Sequence, residues 1–501
     1  MPETGNLAEA KADPQRWKAL AFIAIAQLMV VLDATVVNIA LPHAQASLHI
    51  SDADRQWVIT AYSLAFGGLL LFGGRISDLW GRKRAFIIGL VGFALASALG
   101  GSAVNEAMLL GARALQGVFG ALLAPAALSL LTVTFTESKE RAKAFGIFGA
   151  IAGAGGAVGL ILGGVLTQYA NWRWALFINI GFAVVAAIGA VLFIHEPEGA
   201  RNRSRLDIPG VLLATTGLVA LVYGFTKAST SGWGAGTTIG LFVAAAVLLV
   251  SFVVVEARVK APLLPLRVIT ERNRGGAYLS LGLAIIGMYG LFLFLTYYLQ
   301  ENKGYSPVMT GVAFLPMIAG MITGSTQIGA RLMNRVPPRY LMAPGFVVAA
   351  LGMLILTQLS VTSSYATVVL PGLVLLGLGM GTAFMPAMSL STYGVRATDA
   401  GVASAMTNTS QQVGGSIGTA LLSTIAVNAT TSFMKSHHGN PAYLAQGAIH
   451  GYVEAIWFAV GILIVSAVIS YTLITAGREA VAPVTGGVGE EIADVAPMMM
   501  H

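Results

Sequence analysis

The sequence predicts an all-α integral membrane protein in which two six-helix bundles flank two additional transmembrane helices. Three observations predict it. Of 501 residues, 56% are hydrophobic and only 10% charged, with a mean hydropathy of +0.77, and no single soluble core hides that much apolar surface. Apolar runs near the roughly 20 residues that cross a bilayer recur fourteen times between short polar breaks. Two breaks are longer, basic and proline-containing, and they divide the runs six, two and six.

The first six runs fall near 17–41, 55–73, 85–104, 107–133, 142–166 and 173–195, which makes 17–195 the first bundle. Pro42 is expected to end the first helix. The stretch EPEGARNRSRLD follows, polar, basic and broken by Pro197 and Gly199, so 196–206 reads as a linker. Runs near 208–227 and 237–256 give the additional pair, assigned to 207–256. A second linker, 257–274, is again basic and proline-rich. Runs near 275–300, 308–331, 340–359, 366–390, 400–428 and 452–475 build the second bundle, 275–476. Residues 1–16 lack the apolar core of a cleavable signal peptide and are expected to form a polar tail, and 477–501 a short disordered one.

Net charge is +7, but the placement of the cations argues for a membrane rather than a nucleic acid. With the N-terminus inside, 23 of the 29 Lys and Arg fall in segments on that side. Five fall outside (Arg55, Arg173, Lys227, Lys303 and Lys435), and Arg113 lies within a run. By the positive-inside rule both termini are expected in the cytoplasm. The chain has no cysteine, which excludes disulfides, thiol nucleophiles and cysteine metal sites. Its seven histidines form no spaced pair inside the membrane, so no metal site is expected. No GxxxxGK[ST] run is present, so ATP is not the direct energy source.

Between the second and third runs lies GGRISDLWGRKR, Gly73 to Arg84. Its glycines allow a tight turn between closely packed helices, and its basic cluster cannot cross the membrane. The stretch resembles the cytoplasmic loop signature of the major facilitator superfamily, carried here by Gly74, Ile76, Ser77, Asp78, Gly81, Arg82, Lys83 and Arg84. The resemblance implies a major facilitator fold, two bundles related by an internal repeat around a midplane cavity. The segment GARLMNRVPPRY, Gly329 to Tyr340, falls at the equivalent place in the second half and keeps a glycine and spaced arginines, without the acidic residue. The resemblance further implies that Asp78 belongs to a gating latch against a second-half helix opening near Gly401, whose free N–H groups would attract an anion.

Two buried charges carry the expected chemistry. Asp33 sits in the first run, nine residues before Pro42, and a carboxylate within a membrane helix marks by default a pathway or proton site. Arg113 lies in the fourth run, seven residues from Glu106, and is the one basic side chain expected inside a helix. Counting ~1.5 Å per residue puts Asp33 ~13 Å and Arg113 ~10 Å below the same surface, so they are candidates to meet. Pairing favours the ionised carboxylate and desolvation the protonated one, an opposition suited to a proton switch. A static ion pair is the plainer alternative. Arg113, Gln116 and Gly117 also resemble the fourth-helix signature of the same superfamily.

In the fifth run Gly146, Gly155, Gly159, Gly163 and Gly164 match the spacing of the antiporter signature of proton-driven exporters, although Leu160 stands where that signature has proline. Small-residue helix packing explains the same glycines equally well. The segments NWRWALFIN (Asn171 to Asn179), YYLQENKGYSP (Tyr297 to Pro307) and GVASAMTNTSQQVGGSIGTAL (Gly401 to Leu421) join the other motifs in resembling the fourteen-helix drug:proton antiporters of the QacA and EmrB type, over nearly the whole chain from Trp17 to Ala476. Ser404, Asn408, Gln411 and Gly415 recur at helical spacing, a polar stripe that either lines a cavity or bonds helices together. Tyr62, Gln116, Tyr289, Phe292, Ser404, Asn408, Gln411 and Gln412 are the candidate cavity residues, the aromatic faces suiting flat or cationic compounds. Tyr297 and Tyr298 are expected in the interfacial belt.

These readings converge on a proton-driven exporter of lipophilic, cationic or amphipathic compounds, working by alternating access in a bacterial cell membrane. It would need no cofactor beyond the proton gradient and no nucleic-acid partner. A dedicated exporter or symporter of one metabolite, and a non-transporting sensor or scaffold, use the same fold. An intramembrane enzyme would need convergent ligands or a nucleophile–base pair, and the runs offer only Asp33 and Arg113.

Overall fold

A computed structural model describes residues 14–135, 138–195, 207–259, 262–333, 335–395 and 400–478. The described chain is helical from end to end: α1 Arg16–Leu48, α2 Trp57–Trp80, α3 Arg82–Gly101, α4 Glu106–Thr134, α5 Ser138–Tyr169, α6 Trp174–Phe193, α7 Ile208–Ser231 and α8 Gly236–Glu256. After a short α9, Leu266–Thr270, come α10 Arg272–Tyr297, α11 Pro307–Ala313, α12 Leu315–Thr323, α13 Ala330–Leu332, α14 Arg339–Leu356, α15 Leu370–Thr392, α16 Ala400–Ser436 and α17 Leu444–Leu473. Among the described residues, thirteen helical segments are long and apolar enough to cross a membrane. The fifth expected run falls on α5, a 32-residue helix whose described apolar stretch, Gly155–Tyr169, is shorter than a span. One span is built from pieces: α11, α12 and α13 follow one another with a π-helical turn, Gly324–Gly329, between the last two.

Helices α1 to α6 pack among themselves, and α10 to α17 do the same. The ends at which α1 begins and α17 finishes are called proximal here, and the opposite ends distal. Helix α7 lies on the seam, touching α2 of the first half and α16 of the second. Thr215 Oγ1 donates to the Gly68 carbonyl on α2 at 3.2 Å, and Thr424 Oγ1 on α16 donates to the Phe225 carbonyl at 2.8 Å. Helix α8 packs on α7 and leaves Val243, Val247, Val250 and Val254 outward, as a lipid-facing helix does.

Two expected boundaries move. Helix α1 does not stop at Pro42 but carries it inside and continues to Leu48. Asp33 is therefore about 22 Å of helix from that end rather than ~13 Å. Helix α2 runs past the end of its apolar run through Gly73 and Gly74 to Trp80. Neither glycine makes a turn: a Cβ on Gly73 would strike the Ala121 backbone and one on Gly74 would meet the Pro125 ring at 3.5 Å, so they bring α2 close to α4. The turn is Gly81 alone, at φ +102° and ψ 135°, a conformation that side chains with a Cβ rarely adopt. Gly81→Ala is expected to strain the α2–α3 junction by about 1–3 kcal/mol and to lower the melting temperature; an unchanged melting curve would mean that the junction relaxes freely. Arg82 opens α3 and Lys83 Nζ donates to the Val191 carbonyl at 3.0 Å. The Asp78 side chain lies outside what the structure describes, as do 1–13, 196–206 and 479–501, which hold the expected tails and first linker.

The halves meet tightly at their distal ends. Tyr297 donates its hydroxyl hydrogen to Gln45 of α1, Gln300 Nε2 donates to the Ile39 carbonyl at 3.0 Å, and the Val308 amide donates to Gln168 Oε1 at 3.3 Å. Tyr297 and Tyr298 are fully buried there, not interfacial. The reason is local: the Arg55 guanidinium lies 4.0 Å above the Tyr297 ring and holds it under the loop between α1 and α2.

Candidate functional site

Asp33 and Arg113 meet. Arg113 Nη1 donates to Asp33 Oδ2 at 2.6 Å, with 0% and 1% of the two residues exposed. They meet although the helix-end count for α1 was too short, because α1 extends well beyond the level at which α4 begins. Arg113 and Gln116 stand three apart on one face of α4. Arg113 Nη1 also donates to Gln116 Oε1 at 2.8 Å, which turns the Gln116 amide so that its Nε2 donates to Asp33 Oδ1 at 2.9 Å and to Ser97 Oγ of α3 at 2.7 Å. Asn179 of α6 donates to Asp33 Oδ1 at 2.8 Å and to Ser97 Oγ at 3.3 Å. The remaining side of Arg113 is satisfied by α2, Nε donating to the Val58 carbonyl at 2.9 Å. That reach depends on Gly117, which abuts the Tyr62 carbonyl where a side chain would push α2 away.

The hydrogen bonds to Asp33 of α1 all come from donors, an arginine and an amide on α4 and a second amide on α6, and Ser97 of α3 ties the two amides together. Gln116 belongs to this network rather than to a cavity wall. Asn179 and Ser97 were not singled out from the sequence, being short neutral polar residues in apolar runs; Asn179 ends a quoted motif but has no periodic partner. Arg113 is also not the one buried basic residue at a helix: Arg274, near the start of α10, is 9% exposed and spends its N–H groups on the carbonyls of Val268, Tyr393 and Arg267.

The network reaches the seam through aromatic rings. The Arg113 guanidinium lies 4.5 Å from the centre of the Tyr62 ring, and Tyr62 packs with Phe66 and Phe93. Tyr62 is 3% exposed, and its hydroxyl has no hydrogen-bond partner among the described residues. Tyr289 of α10 lies close enough to interact electrostatically with both Tyr62 and Arg113, and its ring packs over Gly415 of α16, where an added Cβ would meet it at 3.2 Å. Phe292 turns into the second half and stacks on Phe314 at 5.0 Å. Along α16 the polar stripe divides. Gln412 packs on Gly67 of α2, Asn408 Nδ2 donates to the Ser404 carbonyl at 3.2 Å, and Ser404, Asn408 and Gln411 are half-buried.

Four of the five α5 glycines lie against neighbouring helices. Gly155 contacts Leu28 and Val31, Gly159 contacts Thr35, and Gly163 contacts the Val36 backbone, all on α1, while Gly164 abuts the Pro307 and Val308 backbone of α11. Gly146 lies in the same helix, and its surroundings are outside the described residues. Leu160 is buried in a continuous α5, its carbonyl against Gly311 of α11.

A four-helix carboxylate cage beside a seam between two helix bundles is the architecture of a membrane carrier. The Major Facilitator Superfamily sequence profile matches residues 23–419, and the chain belongs to that superfamily of transporters. It is 52% identical over 470 residues to the puromycin resistance protein pur8 of Streptomyces alboniger, covering 93% of each. It is 37% identical to the cephamycin export protein CmcT of Amycolatopsis lactamdurans, over 90% of this chain and 92% of that one. Its fold is similar to the crystal structure of a bacterial homologue of the human lysosomal transporter Spinster in an inward-facing, unoccupied conformation, with a TM-score of 0.65 at 16% identity over 93% of this chain and 98% of that one.

Proposed function

We propose that this transporter exports lipophilic, antibiotic-like compounds, cationic or amphipathic, from a bacterial cytoplasm across the plasma membrane in exchange for protons. The observation that carries the reading is the Asp33–Arg113 pair, sealed among donors and joined through Tyr62 to Tyr289 on the opposite half. Protonating Asp33 removes its charge from Arg113 and leaves the cage with one uncompensated cation, which disfavours this packing. A change in Asp33 occupancy is thereby converted into a change of fit at the seam, which is what exchange of proton for cargo requires. Relatives named for puromycin resistance and cephamycin export support the antibiotic cargo. The distribution of Lys and Arg supports an orientation with both termini, and so the proximal end, in the cytoplasm. On that orientation the distal seal faces outward.

The test is a panel of antibiotics and fluorescent dyes in cells expressing the chain. Energy-dependent efflux of several lipophilic compounds, abolished by a protonophore, is expected. Movement of a single compound, or uptake with protons, would instead identify a dedicated carrier or a symporter.

A further inference from the structure

At the proximal end of the two additional helices, two carboxyl groups face one another. Asp207 precedes α7 and caps it, its Oδ1 accepting from the Gly210 amide at 2.9 Å. Glu256 ends α8, and its Oε2 accepts from the Leu264 amide at 2.9 Å. Capping explains one oxygen of each. The second oxygens, Asp207 Oδ2 and Glu256 Oε1, are buried without a hydrogen-bond partner in side chains only 5% and 3% exposed. Both lie 2.5 Å from the position a Cβ on Gly210 would take, so only glycine leaves room for them, and the two oxygens flank the same point. Two ionised carboxylates so placed would repel across a region with little water. Asp207 is a charged neighbour of Glu256. Arg258, the nearest described cation along the chain, points outward and is exposed.

We propose that Asp207 and Glu256 share one proton, forming a proton-binding site separate from Asp33 that clasps the additional helix pair to the chain leading into the second bundle. One carboxyl group donates its hydrogen to the ionised oxygen of the other, which satisfies both orphaned oxygens with a single net charge. The clasp joins three pieces of chain: the start of α7, the end of α8 and the turn at Leu263 and Leu264 that leads to α9 and α10. Helix α7 is also the helix that straddles the α2–α16 seam, so the clasp fixes the proximal end of the element that spans both halves. Release of the proton places two negative charges together and loosens that end.

The sign of the pH effect follows. In the unfolded chain both carboxyls ionise near their ordinary values, about 4, whereas the folded pair retains one proton; the folded state binds more protons, and stability falls as pH rises. Full-length protein in detergent, without substrate, is compared by infrared spectroscopy and thermal unfolding between about pH 5 and about pH 8. Wild type is expected to show a protonated-carboxyl absorption that is lost in both Glu256→Gln and Asp207→Asn. In Glu256→Gln the amide donates to Asp207 and still accepts from Leu264, so this variant should fold, with a flatter dependence of melting temperature on pH. An absorption unchanged in both variants overturns the shared proton. A melting temperature that follows added sodium, potassium or magnesium rather than pH also overturns it and makes the pair a cation site.

Discussion

Asp33→Asn is expected to abolish pH-gradient-driven efflux in proteoliposomes. The substitution is nearly isosteric, but it removes both the charge and the titratable proton. Asp33 Oδ2 accepts from Arg113, and Oδ1 accepts from Gln116 and Asn179. An asparagine can present its carbonyl to only one of these sides. If it faces Arg113, its NH2 confronts the NH2 groups of Gln116 and Asn179. Gln116 cannot simply turn over, because its Oε1 is already engaged by Arg113. The buried guanidinium meanwhile loses its counter-charge, and breaking such a pair costs about 3–5 kcal/mol. The single variant should therefore melt lower as well as fail to couple.

The two losses can be separated. Asp33→Asn combined with Arg113→Gln replaces both charges and should recover much of the stability while remaining unable to use a pH gradient. A static ion pair predicts otherwise: the neutral double variant would then be both stable and transport-competent. Full gradient-driven efflux by either Asp33→Asn protein would show that the coupling proton is held elsewhere.

How much of this site could be read from residues alone depended on how unusual each residue is in an apolar helix. Asp33 and Arg113 stand out because a charge is costly there, and their pairing was inferred from depth. The depth argument itself rested on Pro42 ending α1, which it does not: proline removes one N–H from a helix that is held on several sides by packing, and tertiary contacts carried it to Leu48. Gln116 was assigned to the cavity because a polar side chain on a membrane helix has two uses, and only the position of Arg113 Nη1 decides between them. Ser97 and Asn179 carry no charge and no period, so only the folded chain brings them to Asp33. A many-helix membrane fold was legible from composition and breaks, since bilayer thickness fixes helix length. That α7 sits on the seam was not, because nothing in its sequence names its neighbours.

The α5 glycines left helix packing and an antiporter signature equally open, and the distal seal gives the packing a testable consequence. At Gly164 a Cβ would approach Pro307 O and Val308 Cα of α11 to 2.6 Å each, and at Gly311 it would strike the Leu160 carbonyl. Both obstacles are backbone, which cannot rotate aside as a side chain can. Gly164→Val should therefore oppose closure of the distal end while leaving the separate halves intact. Overpacking of this kind costs about 1–3 kcal/mol, and if the cost falls on the closed state alone it shifts the balance about 5- to 150-fold toward opening. Spin labels at Tyr169 and Met309, near the distal ends of α5 and α11, should then report a longer distance in Gly164→Val than in Gly164→Ala, with lower efflux. The Asp33–Arg113 cage lies on other helices and should keep its response to proton concentration. If label distances match the glycine protein and efflux persists, α5 and α11 separate by another route, and the close approach at Gly164 is packing without a gating role.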